Sequence, residues 1–140
     1  TGTFQGACAE FCGLSHAHMH LDVVTLEPAA FEQWLAAQRA GAQAPDDAEA
    51  QRGAEAFLDR GCGVCHTVRG TDAAGRAGPD LTHVGSRLSL AAGLLPNDAN
   101  AFSQWITGTE RLKPGAHMPA FAALPAAEVS ALSTYLSRLR

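Results

Sequence analysis

Leu58-Asp59-Arg60-Gly61-Cys62-Gly63-Val64-Cys65-His66 is the stretch that decides how the chain is read: a helix end, a glycine stop, then Cys-x-x-Cys-His. The pentapeptide Cys62–His66 has the form of a c-type haem attachment sequence. Two thiols so spaced add across the two vinyl groups of one haem, and the next residue, a histidine, is then held beneath the iron. A zinc knuckle or a chance Cys-x-x-Cys is the alternative. No second pair of metal-spaced residues lies nearby in this half of the chain to support zinc.

Working outward, Asp47–Arg60 has an acidic start and an Ala54/Phe57/Leu58 face, which predicts a helix that Gly61 terminates. Residues 67–97 are punctuated by Gly, Pro and Asn and predict mostly loop. Asn97 or Asp98 can cap a helix through Gly108, with Phe102, Trp105 and Ile106 on one side. Residues 109–124 predict another loop. Pro125–Leu139 predicts a final helix with Val129, Leu132, Leu136 and Leu139 facing inward. Residues 48–140 therefore predict a compact, mainly α domain with long loops.

Two further motifs join the pentapeptide, Gly78-Pro79-Asp80-Leu81 and Pro114-Gly115-Ala116-His117-Met118-Pro119. With them, residues 48–140 resemble a class I cytochrome c, whose helices surround a covalent haem. The resemblance implies that the Pro79 carbonyl accepts a hydrogen bond from the outer nitrogen of His66, which fixes the tautomer. It also implies Met118 as the distal iron ligand opposite His66. No helix face needs a core methionine in that loop, and His117 and His83 are the competing ligands. A Met/His pair raises the reduction potential, which suits electron transfer. Phe57, Leu81, Phe102, Trp105 and Tyr135 are expected to wall the haem or to be ordinary core. Arg87 is read as a propionate partner or as a solvated surface residue.

The N-terminal segment Cys8-Ala9-Glu10-Phe11-Cys12-Gly13-Leu14-Ser15-His16-Ala17-His18-Met19 has the form C-x-E-x-C-x-x-x-H-x-x-M. Two thiolates, an imidazole and a thioether form a soft ligand set that favours copper. A structural disulfide, or zinc held by Cys8, Cys12, His16 and either His18 or His20, is the alternative. The segment resembles the dinuclear copper A loop of cytochrome c oxidase subunit II. By that resemblance Cys8 and Cys12 bridge two coppers, His16, Met19 and the Glu10 carbonyl complete them, and the Glu10 side chain reaches magnesium beside subunit I. Leu21–Glu27 predicts a strand, and Pro28 opens a helix through Gln38 with Phe31, Trp34 and Leu35 on one face. Both match the strand and helix that come after the copper loop in the C-terminal part of a cupredoxin-type β-sandwich. The family takes a second histidine from a strand well upstream. This sequence has only seven residues before Cys8, so no intact binuclear centre is expected from it alone.

Arg39–Glu49 lacks large apolar residues and reads as an exposed connection. The expected division is residues 1–40 as the copper A remnant, 41–47 as linker and 48–140 as the cytochrome domain. Residues 1–50 carry seven acids against Arg39 alone, net −6, while residues 51–140 are net +2. No basic stripe with interleaved aromatics points to nucleic acid. No apolar run approaches the roughly 20 residues that span a bilayer. A start at Thr1 reads as a processed or excised piece, without signal peptide and with any membrane anchor upstream.

The stretch from Gly78 to Phe121, with Ala91-Ala92-Gly93-Leu94-Leu95-Pro96-Asn97, is similar to the cytochrome c domain fused to subunit II in some bacterial oxidases. The whole thus resembles the C-terminal part of a caa-type subunit II. That implies electron transfer from a soluble donor such as a cytochrome c, through haem c and copper A, to oxygen reduction in subunit I. The chain would contribute to a proton-translocating oxidoreductase without oxygen chemistry of its own, on the extracytoplasmic (periplasmic) face of a bacterial membrane. Rival readings are the copper A and cytochrome portion of a nitrous oxide reductase, a free-standing cytochrome c carrier, and a haem-free zinc domain. Glu10 argues against the reductase, which prefers tryptophan there.

Overall fold

The computed structural model describes all of residues 1–140. Strands β1 (Gly2–Ala7) and β2 (His20–Thr25) form an antiparallel hairpin, with Phe4 opposite Val23 and Gly6 opposite Leu21. The strand expected at Leu21–Glu27 thus starts one residue earlier and ends at Thr25, because Pro28 requires extended backbone before it and Glu27 serves as the helix cap. β1 has no counterpart in the sequence reading. Two glycines in six residues weaken its strand signal, and pairing with β2 supplies what propensity does not.

Helix α1 (Pro28–Arg39) opens on proline at its first turn, where a missing N–H costs nothing. Its apolar face stays open: Phe31 and Trp34 are 43% and 49% exposed, with ring centroids 5.7 Å apart. Helix α2 (Ala48–Asp59) is capped by Asp47, whose carboxylate accepts the N–H groups of Glu49 and Ala50 at 2.8 and 2.9 Å. Gly61 then turns left-handed at φ 75° and ends it. Cys62–Cys65 forms the one-turn helix α3. The long loop after it contains a short antiparallel pair, β3 (Ser89–Leu90) and β4 (Leu95–Pro96). Helix α4 (Ala99–Leu112) is capped by Asp98 and continues four residues past the expected end, kinking at Gly108. Helix α5 (Ala126–Arg138) closes the fold.

The core is built where α2 crosses α5. Gly53 faces Ala131 so closely that a Cβ there would lie 2.1 Å from its carbonyl oxygen. Around this crossing Phe57 meets Tyr135 edge-on at 5.9 Å, and Ala50, Leu132 and Leu136 are buried. The inward stripe of α2 is therefore Ala50, Gly53, Ala54 and Phe57, while Leu58 turns to solvent at 42% exposure. Val129, Leu132, Leu136 and Leu139 are all buried, as their spacing predicts. Helix α4 joins α5 through Phe102, Ile106 and a Ser103–Ser133 hydrogen bond of 2.8 Å.

The hairpin and α1 rest on this helical body. Ala42 N–H donates to the Arg69 carbonyl at 2.7 Å, and the Arg69 guanidinium donates to the carbonyls of Gln38 and Arg39. His20 N–H donates to Ala92 at 2.9 Å, and the Ser89 hydroxyl to Asp22. No helix is long and apolar enough to cross a membrane.

Candidate functional site

Helix α3 sets Cys62 and Cys65 one turn apart, and His66 comes next with its N–H bonded to the Cys62 carbonyl at 3.0 Å. All four cysteines are free thiols, and burial raises the Cys62 thiol above its ordinary value. His66 Nδ1 lies 2.8 Å from the Pro79 carbonyl oxygen. A carbonyl only accepts, so Nδ1 carries the proton and Nε2 presents its lone pair outward. Gly78 stands flush against the ring, where an added Cβ would lie 2.5 Å from Cε1. The loop is braced from behind. Burial works against the Asp80 charge, but hydrogen bonds from Thr82 and the Arg69 guanidinium at 3.2 Å hold its carboxyl below the usual range.

Met118 packs half-buried on the core, its carbonyl accepting from the fully buried Thr109 hydroxyl at 2.9 Å. Its neighbour His117 is exposed. His83 spends Nε2 on the Ala40 carbonyl at 3.1 Å, which ties it to the N-terminal segment. Leu81, Leu95, Phe121 and Leu124 are likewise packed on the core but only partly covered. The residues fit a haem: two free thiols on one turn, an imidazole in the ligating tautomer, a glycine cradle, a thioether and apolar walls. Phe57, Phe102 and Tyr135 are buried core, and Trp105 is half-buried. Arg87 donates to the Asp80 carbonyl at 2.6 Å and, with Trp34 and His83, lines a cavity of ≈ 570 Å³.

The N-terminal loop brings its own donor set together. Cys8 Sγ and Cys12 Sγ stand 3.6 Å apart as separate thiols, Cys12 Sγ is 3.6 Å from His16 Nδ1 and 3.4 Å from Met19 Sδ, and Cys8 Sγ is 3.1 Å from the Glu10 carbonyl. Donors about 2.0–2.3 Å from a tetrahedral ion stand roughly 3.3–3.8 Å from one another, so the spacings from Cys12 to Cys8, His16 and Met19 fit a soft metal. The hydrogen bond with Cys8 raises the Cys12 thiol above its ordinary value. The assembled His/Cys cluster is Cys8, Cys12 and His16; His18 and His20 lie outside it. The Glu10 carboxylate accepts only the Phe11 N–H, at 3.2 Å.

The two loops touch. The Ser15 hydroxyl donates to the Pro114 carbonyl at 2.6 Å, and Leu14 lies against Gly115. Ser15, Arg69 and Thr109 escaped the sequence reading because their roles depend on partners 99, 11 and 9 residues away, at no motif spacing.

The family model for cytochrome c matches residues 50–140, and the chain belongs to the cytochrome c family. Over nearly its full length it is also homologous to cytochrome c oxidase subunit 2. The Alkalihalophilus pseudofirmus protein is 36% identical over 139 residues, 99% of this chain and 40% of the relative. The Bacillus subtilis protein is 32% identical over 141 residues, 98% of this chain and 39% of the relative. The chain thus spans about two fifths of the length of the curated relatives it matches. The resemblance to a caa-type subunit II is borne out. Among solved structures, the c-type cytochrome SorU from Sinorhizobium meliloti is 27% identical with a TM-score of 0.47, covering 64% of this chain and 87% of that one.

Proposed function

We propose that the chain is an electron-transfer module of a respiratory cytochrome c oxidase. It accepts electrons at haem c from a soluble donor such as a cytochrome c and passes them to copper A, for oxygen reduction to water in subunit I. The observation that carries this reading is the pair of donor sets of different chemistry in one chain, with the copper loop seated on the methionine loop through Ser15 and Pro114.

Bound haem c supplies a one-electron iron couple whose potential a Met/His ligand pair raises. Cys62 and Cys65 would bond it covalently and His66 and Met118 would hold its iron, while the Pro79 carbonyl holds the His66 tautomer. With His66 and Met118 both given to the iron, the haem would carry electrons rather than take up oxygen. Cys8, Cys12, His16, Met19 and the Glu10 carbonyl would hold copper, with a second histidine needed to complete a binuclear centre, and the Glu10 carboxylate would be available to magnesium at the subunit I boundary. Residues 1–40 serve the copper centre and 48–140 the haem, joined by 41–47. A short connection of this kind replaces a diffusional encounter by an effective concentration on the order of millimolar. The assembly places the module on the extracytoplasmic, periplasmic face of the membrane, and proton translocation belongs to the complex.

Flash reduction of protein carrying both centres tests the reading. Haem reoxidation should coincide with bleaching of the visible copper–thiolate bands. Haem that stays reduced beside assembled, oxidised copper refutes it.

A further inference from the structure

The contact between the loops is more built than covalent connection requires. Ser15 immediately precedes His16 and reaches Pro114, four residues before Met118, with a hydrogen bond of 2.6 Å. A second pair of contacts reinforces it. Ala91, Ala92 and Gly93 all adopt left-handed backbone, at φ 53°, 63° and 86°. For alanine this conformation is disfavoured by the clash of its Cβ with the backbone, so the surroundings must hold it in place. The strained turn aims successive carbonyls outward: Ala91 accepts from the Lys113 ammonium at 2.9 Å, and Ala92 from the His20 N–H at 2.9 Å. Lys113 begins the methionine loop, and His20 directly follows Met19. The two ligand-bearing loops are therefore tied twice, once directly through Ser15 and once across the Ala91–Gly93 turn.

We propose that Ser15 is a positioning residue that seats the copper loop on the methionine loop and so sets the rate of electron transfer between them; the proposal rests on the functional reading above. In the step it serves, one electron leaves ferrous haem iron, which becomes ferric, and enters oxidised copper, which is reduced by one electron. No bond is made or broken and no proton moves. Tunnelling falls steeply with separation, so transfer proceeds from the seated arrangement. Ser15 supplies the only side-chain hydrogen bond between the two loops.

Ser15→Ala removes the donor without adding bulk, and Ser15→Thr keeps it. In protein carrying both centres, Ser15→Ala should slow haem-to-copper transfer about five-fold, the population change set by one net hydrogen bond. Its haem and copper spectra should match those of the parent, and Ser15→Thr should restore the rate. Hydrogen–deuterium exchange of the haem-loaded chain gives a readout independent of electron transfer. The amide of Ala116, bonded to the Lys113 carbonyl at 3.1 Å, should exchange faster in Ser15→Ala than in the parent. An unchanged transfer rate in Ser15→Ala overturns the proposal. So does an altered copper spectrum with unchanged Ala116 exchange, which assigns Ser15 to the internal structure of the copper loop. If the parent itself transfers no electron, the functional reading falls, whereas the exchange comparison still decides whether Ser15 seats the loops.

Discussion

Replacing Gly53 by alanine puts one methyl group where α2 meets α5. Its Cβ would stand 2.1 Å from the Ala131 carbonyl oxygen and 2.7 Å from Tyr135 Cβ. Contacts under 3.0 Å are essentially never adopted, so the helices must separate by about 1 Å. The atom in the way is backbone, and no rotamer change moves it. Separation is felt along the whole crossing, where Phe57, Leu132 and Tyr135 are 3%, 1% and 4% exposed. A radial gap of about 0.5–1 Å forfeits roughly a quarter to a half of each dispersion contact. Overpacking costs about 1–3 kcal/mol, and the backbone clash puts this site at the upper end, while the better helix propensity of alanine returns about 1 kcal/mol. The net loss is about 2 kcal/mol, which lowers Tm by roughly 8–16 °C in a domain of this size. Thermal unfolding of the haem-loaded protein by circular dichroism measures it, with Gln51→Ala on the exposed side of α2 as a neutral control. A Gly53→Ala protein melting at or above the parent temperature would refute the argument.

Other perturbations read other parts of the structure. Leu132→Ala should cost about 2–5 kcal/mol in denaturant unfolding, because a 1%-exposed leucine between packed helices leaves a cavity. Met118→Ala should leave the haem covalently bound but abolish the weak near-infrared band of ferric haem with a sulfur ligand; survival of the band would shift the ligand to His117 or elsewhere. Hydrogen bonds from Arg60 at 2.6 and 2.7 Å hold the Glu128 carboxyl below its ordinary 4.5, outweighing a smaller opposing effect of desolvation. This pair therefore contributes fully above pH 4.5 and less as pH falls through the lowered value. Glu128→Gln should flatten the acid limb of a Tm-against-pH curve, and an unchanged slope would rule out the linkage.

Features that rest on short-range physics were legible from the residues. Gly61 and Asp98 terminate and cap their helices where their chemistry dictates, and Val129 to Leu139 bury as their period requires. The Cys-x-x-Cys-His and copper-loop motifs were legible for the same reason, since each needs only local spacing to place its donors. The features that escaped depend on distant partners. β1 exists through β2, Gly53 matters through Ala131, and Leu58 is excluded from a core that only the approach of α5 defines. Ala91 and Ala92 carry no sequence mark of a left-handed turn, because the contacts that hold it come from Lys113 and His20.

Gly78 and Pro79 leave His66 almost nothing to decide. One blocks the space into which the imidazole would swing, and the other pins its outer nitrogen. An iron held by His66, as proposed, would have little freedom to relax as its oxidation state changes, so the nuclear rearrangement accompanying each electron would be small. Two residues outside the proposed ligand set would thereby favour fast exchange in both directions.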